Sequence, residues 1–223
     1  MTATAVAAPS LANNSRVRVL SWLTIAGVIG YVAIDVLLKF LRPHYSLLYN
    51  AESDYGRGPW FWIMDLNFLL RCALSLAIIA AVADALPAST RRRVGLILMA
   101  VWAVCSGLLA FFADDLEGQP VHGSGAIHLL LALIAFPCVA AATIVASTCF
   151  EPAQPPRLAR SLLLTVSIAG GVAFGLLGAA FGHQHAPGGL YERIFLGLEL
   201  LWIALAACFL LAGSPAGRPH RVS

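Results

Sequence analysis

Six long apolar runs, at residues 19–41, 60–86, 94–112, 127–150, 161–181 and 194–212, leave this chain almost no choice of solvent. Each is close to the roughly 20 residues that an α-helix needs to cross the hydrocarbon of a bilayer, and far longer than the roughly ten alternating residues of a membrane barrel strand. Composition agrees: 60% of the 223 residues are hydrophobic, 11% are charged and the mean hydropathy is +0.83. A soluble domain holds about 45–50% apolar and about 25% charged residues. The fold class expected is therefore all-α: a polytopic integral membrane protein, a bundle of six transmembrane helices. The expected organisation is a disordered N-terminal tail (1–18), a six-helix domain (19–212) and a C-terminal tail (213–223). Connectors carry helix-stopping prolines, among them Pro87, Pro120, Pro152, Pro155, Pro156 and Pro187.

Arginines set the expected topology. Arg16, Arg18, Arg91, Arg92, Arg93, Arg157, Arg160, Arg218 and Arg221 fall on one side of the six crossings, nine of the 14 Lys and Arg residues. Lys39, Arg42, Arg57 and Arg193 fall on the other, and Arg71 lies within a span. The positive-inside rule then puts both termini in the cytoplasm, with the protein in the cell membrane. Basic residues are scattered, so nothing points to nucleic acid. The five cysteines sit in apolar stretches without a metal or disulfide spacing and read as small buried hydrophobes.

Acids and histidines sort the opposite way. Glu52, Asp54, Asp114, Asp115, Glu117 and Glu192, with His44, His122, His128, His183 and His185, gather at the outer connectors. Asp35, Asp65 and Glu199 lie within spans, where an ionisable group costs about 2.5–3.5 kcal/mol and calls for a partner. Asp35 and Lys39, four apart, are expected to pair on one helix face, and Asp35 is also a candidate acid for Arg71. Glu199 is expected to pack against Arg193 or Arg71 or to join the outer pocket. The first outer loop is the richest segment, with Glu52, Ser53, Asp54, Tyr55, Arg57, Trp60, Phe61 and Trp62. In the fifth run Gly171, Gly175, Gly178 and Gly182 have the small-xxx-small spacing of close helix packing. Pro137 should bend the fourth helix.

Carboxyl groups in a low dielectric can serve as general acids near neutral pH, and aromatic faces stabilise cations. On that chemistry the candidate catalytic residues are Asp54, Asp65, Asp114, His128 and Glu192, with Tyr55, Trp60, Trp62 and Arg193 as candidate substrate-binding residues. The expected partner is a membrane lipid or a prenylated small molecule, handled by protonation as in terpene cyclisation. No cofactor is expected. A zinc ion on His122, His128 and Asp114, supporting hydrolysis, is the lesser alternative, since no metal motif of fixed spacing occurs. A non-enzymatic lipid-sensing, scaffolding or small transport role is the other reading.

Ser53-Asp54-Tyr55 with Gly58-Pro59, Trp62, Met64 and Phe68, then Phe111 and Asp114, Gly123 with His128, and Gly189, Glu192-Arg193 and Trp202 resemble the bacterial membrane family catalogued as domain of unknown function 998. The resemblance covers about residues 20 to 212 and implies a multi-helix membrane protein, with no reaction to carry over. A remoter similarity to six-helix Frag1/DRAM-type proteins would imply lipid-related work. Asp65, Arg71, Asp115 and the His183/His185 pair depart from the family pattern.

Overall fold

The computed structural model describes residues 15–115, 123–150, 157–181, 183 and 185–213. Six helices account for nearly all of them: α1 (Ser15–Leu41), α2 (Phe61–Ala85), α3 (Thr90–Leu109), α4 (Gly123–Ser147), α5 (Arg157–Ala180) and α6 (Gly188–Gly213). All six are long and apolar enough to cross a membrane, and among the described residues there is no strand. Five of them begin before the apolar run does. Backbone hydrogen bonds must continue through the interface where a polar first turn is tolerated, so α3 opens on Thr90-Arg91-Arg92-Arg93, capped by Ser89, whose Oγ accepts from the Arg92 amide at 3.1 Å. Pro137 lies inside α4 without ending it.

Chain neighbours pack against each other in order, and α1 closes the ring against α6. Arg16 at the start of α1 pairs with Asp84 at the end of α2 at 3.3 Å, and Arg92 donates to the carbonyl of Ala83, so successive helices run antiparallel. Six crossings bring Ser15 and Gly213 to one end, here the terminal end; the opposite end carries residues 42–60 and is here the loop end. The core is aromatic and aliphatic, with Trp102, Trp202, Phe195 and Tyr31 fully buried. Outside, the surface is inverted relative to a water-soluble protein. Ile29, Phe40 and Phe111 are 65%, 76% and 71% exposed, a surface that only hydrocarbon solvates well.

Two packing expectations change. Gly171, Gly175 and Gly178 have nothing within 4 Å of a would-be Cβ, so the small-residue stripe of α5 faces away from the bundle. Close approach is made elsewhere: a Cβ on Gly27 would lie 2.8 Å from Leu74 Cβ, and one on Gly189 would strike the Asn50 backbone.

Candidate functional site

Residues 42–60 do not arch over the loop end; they turn back into it. A single 3-10 turn, Glu52–Gly56, is buried at every residue. Glu52 reaches Tyr31, ten residues, about 15 Å of helix rise, from the end of α1. Irregular backbone at that depth survives only if protein supplies its hydrogen bonds. Basic side chains cover the carbonyls. Lys39 Nζ donates to Tyr45 O at 2.5 Å, and Arg42 donates to Arg57 O and, at 2.7 Å, to Pro59 O. Arg193 Nη1 donates to Asn50 O at 2.6 Å and to Gly189 O at 3.1 Å. Carboxylates cover the other polarity: Glu192 Oε2 accepts from the Glu52 amide at 3.1 Å, and Asp54 Oδ2 accepts from Asn50 Nδ2 at 3.0 Å.

Beneath the turn lies a charged centre. Arg71, 2% exposed, has its guanidinium carbon 4.7 Å from the Trp102 ring centre, 5.2 Å from Phe68 and 5.7 Å from Tyr31. Cation–aromatic contacts of this desolvated kind are worth about 2 kcal/mol. Its Nε donates to Ser106 Oγ and its Nη1 to Tyr31 Oη, both at 3.2 Å. Tyr31 in turn donates to Glu52 Oε1. The charge of Arg71 therefore reaches a carboxylate through a phenol rather than directly.

A third set flanks the turn. Ser53 Oγ donates to Asp114 Oδ2 at 2.7 Å, and the same oxygen lies 3.7 Å from His128 Nε2. His128 Nδ1 is 2.7 Å from Phe112 O; a carbonyl only accepts, so Nδ1 carries hydrogen and Nε2 is the nitrogen that exchanges a proton facing Asp114. Arg57 pairs with Asp115 at 2.9 Å. Burial pushes the Tyr55 phenol above its ordinary value, while the neighbouring Arg193, its guanidinium carbon 5.8 Å from the ring centre, opposes the shift.

Of the sequence candidates, Asp54, Asp114, His128, Glu192, Tyr55 and Arg193 meet around this one turn. Asp65 is half-buried on α2 and takes no part in the network, and Trp60 and Trp62 are 48% and 54% exposed, as interfacial aromatics are. Three pairings expected from sequence are replaced. Lys39 serves loop carbonyls instead of Asp35; Asp35 lies near Glu52 and Arg193, its Oδ1 without a hydrogen-bond partner. Arg71 takes Tyr31 and Ser106, not Asp35. Glu199 lies against Gly170 of α5, away from both arginines and from the loop end.

Tyr31 and Ser106 are not candidates on sequence; Glu52 and Ser53 stand out there only as members of the rich first loop, Ser53 also in the family motif. Neutral hydroxyls in apolar runs carry no charge signal, and a re-entrant turn has no hydropathy signature. His122 lies outside the described residues, and His183 and His185 are exposed. Among the described residues no three His, Cys, Asp or Glu side chains gather as a metal site, although Asp114 and His128 stand side by side. An open recess of about 770 Å³ lies at the terminal end, beside Ser89, Arg92 and Ile97.

A family model described as a protein of unknown function (DUF998) matches residues 25–208. The chain belongs to the DUF998 family. The match takes in most of α1 and α6, all of α2 to α5, the re-entrant turn and the Asp114–His128 pair. No curated protein and no solved structure matches this DUF998 chain.

Proposed function

We propose that this DUF998 protein sits in the cell membrane with both termini cytoplasmic, and that its outer, loop-end network performs acid–base chemistry on an amphiphilic lipid or isoprenoid. One observation carries the reading. Glu52, Asp114, His128 and Glu192, from four separate segments, converge on one buried 3-10 turn. Holding the loop accounts for Glu192, Lys39, Arg42 and Arg193, but not for the Arg71–Tyr31–Glu52 relay or the Asp114–His128 pair. In the relay Tyr31 and Glu52 can exchange a proton with a bound molecule, while Arg71, which keeps its own proton, stabilises the negative charge left behind. His128 offers one exchangeable nitrogen to Asp114. Substrate entry requires residues 42–60 to lift, as lids do in many enzymes. Terpene-cyclase-like protonation fits these groups, and Asp114 and His128, with His122, would be the ligands of the lesser, zinc-dependent variant.

A second reading rests on how many of these groups bond to the loop's own backbone: a non-enzymatic lipid-sensing, scaffolding or small transport protein. Lipid profiling separates the two. Membranes from cells lacking the chain, complemented with wild type, Glu52→Gln or His128→Gln, would be compared by mass spectrometry. The enzymatic reading expects a lipid or isoprenoid species that changes with wild type and not with either variant, while both variants keep near-normal amounts of folded protein. Identical profiles in all strains would leave the non-enzymatic reading.

A further inference from the structure

A second polar centre lies deep in the bundle between α4, α5 and α6. Glu199 is 1% exposed, and neither carboxylate oxygen has a well-formed hydrogen bond. It stands 11 residues into α6, about 16 Å from the loop end of that helix and about 21 Å from the other. Gly170 makes room for it: a Cβ there would sit 2.8 Å from Glu199 Oε1. From α4 the Thr143 hydroxyl lies beside it. No charged group faces it from α4 or α5 among the described residues. Along α6 the nearest are Arg193 and Glu192, six and seven residues away, about 9 and 10 Å of rise, and both are engaged with the loop.

Thr143 is the hydroxyl beside Glu199, and it and the two serines that follow it all have helix carbonyls to donate to. Thr143 Oγ1 donates to Ala140 O at 3.1 Å, Ser147 Oγ to Thr143 O at 2.6 Å and Ser167 Oγ to Leu163 O at 2.8 Å, the back-bonding usual for such residues in helices. Each has one hydrogen, so Thr143 can donate to Glu199 only by leaving Ala140 O, while the two serines present lone pairs. An ionised carboxylate among acceptors in this interior is strongly unfavourable. A carboxylic acid is not, because its O–H donates to one of them.

The same hydroxyls extend the polar set on the terminal side of Glu199, with Thr143 and Ser147 0% exposed and Ser167 1% exposed. Ser147, one turn beyond Thr143, is the last residue of α4, lies 3.2 Å from Ser167 Oγ and accepts from Trp202 Nε1 at 2.8 Å. We propose that Glu199 is a mid-membrane proton-binding site that exchanges its proton toward the terminal side through the buried Thr143, Ser147 and Ser167 hydroxyls, each of which must turn from its helix carbonyl to pass the proton. This site is independent of the loop-end reading. When loaded it is uncharged, which is the condition for an acid to persist at this depth, and ionisable groups within spans mark such proton relays.

Infrared spectroscopy of the full chain in lipid nanodiscs tests this directly. At neutral pH and low sodium, the wild type should show a protonated-carboxyl C=O band that is lost in Glu199→Gln, an isosteric change that preserves packing. Transfer to D2O should shift the band, and Ser147→Ala should delay the shift without removing the band; Ser167→Ala serves if Ser147→Ala does not fold. A spectrum identical in wild type and Glu199→Gln overturns the proposal. So does a band that never shifts in D2O, a shift undelayed in the serine variant, or a band abolished by sodium at constant pH, which would make the occupant a metal cation.

Discussion

Tyr31 shows how much a neutral residue can decide inside a membrane. Its hydroxyl accepts from Arg71 and donates to Glu52, so removing one oxygen leaves a buried cation and a buried carboxylate each short of a partner. Tyr31→Phe should therefore destabilise the protein by about 1–3 kcal/mol, seen as a lower unfolding midpoint in detergent; an unchanged midpoint would contradict the network. Tyr55 behaves differently. Its hydroxyl has no well-formed partner, so Tyr55→Phe should be close to neutral at pH 7. Its phenol is raised by burial, so above about pH 10 the unfolded chain ionises while the folded one resists. The stabilisation is complete below the unfolded value and is lost as pH climbs toward the folded one. Wild type should lose stability over that alkaline window, and Tyr55→Phe should lose less of it. From sequence, Tyr55 was legible as a member of a polar loop; Tyr31, an aromatic in an apolar run, was indistinguishable from core.

Helices and loops differ in how far their positions can be read from residue type. The six helices follow from length and hydropathy, because any other backbone in hydrocarbon would leave amides unpaired. The glycines do not follow so simply. Gly189 lets the first turn of α6 sit against the loop, where Leu190 N donates to Leu48 O at 3.1 Å and a Cβ on Gly189 would meet Asn50 C at 2.8 Å. Gly189→Ala should cost about 1–3 kcal/mol through forced backbone shift. Gly178→Ala, with open space around it, should be neutral or stabilise α5 by up to about 1 kcal/mol. Unfolding curves of the two variants side by side check this. The i, i+4 spacing of small residues is identical arithmetic whether a helix face meets a neighbour or lipid, so spacing alone pointed to the wrong glycines.

At the scale of the whole molecule, charge sorting predicts orientation. Fluorescent-protein fusions after residue 213 and alkaline phosphatase fusions within 57–60 should both be active, as cytoplasmic termini and an outer loop end require. The reverse pattern would turn the molecule over and move the proposed chemistry to the cytoplasmic side. That sorting was visible in the sequence because arginine counts survive without coordinates. Its meaning was not, since several of the loop-end charges serve the backbone of residues 42–60.

The sequence by itself determined the solvent and the six helices, because transfer of apolar side chains and the closure of helical hydrogen bonds depend only on local composition and length. It also marked most of the loop-end residues. Only the tertiary structure decided which polar groups meet: that residues 42–60 re-enter, that Arg71 reaches Glu52 through Tyr31, and that Glu199 stands apart against Gly170. Pairing between distant segments depends on helix rotation and depth, and these are fixed by packing among all six helices rather than by any one of them.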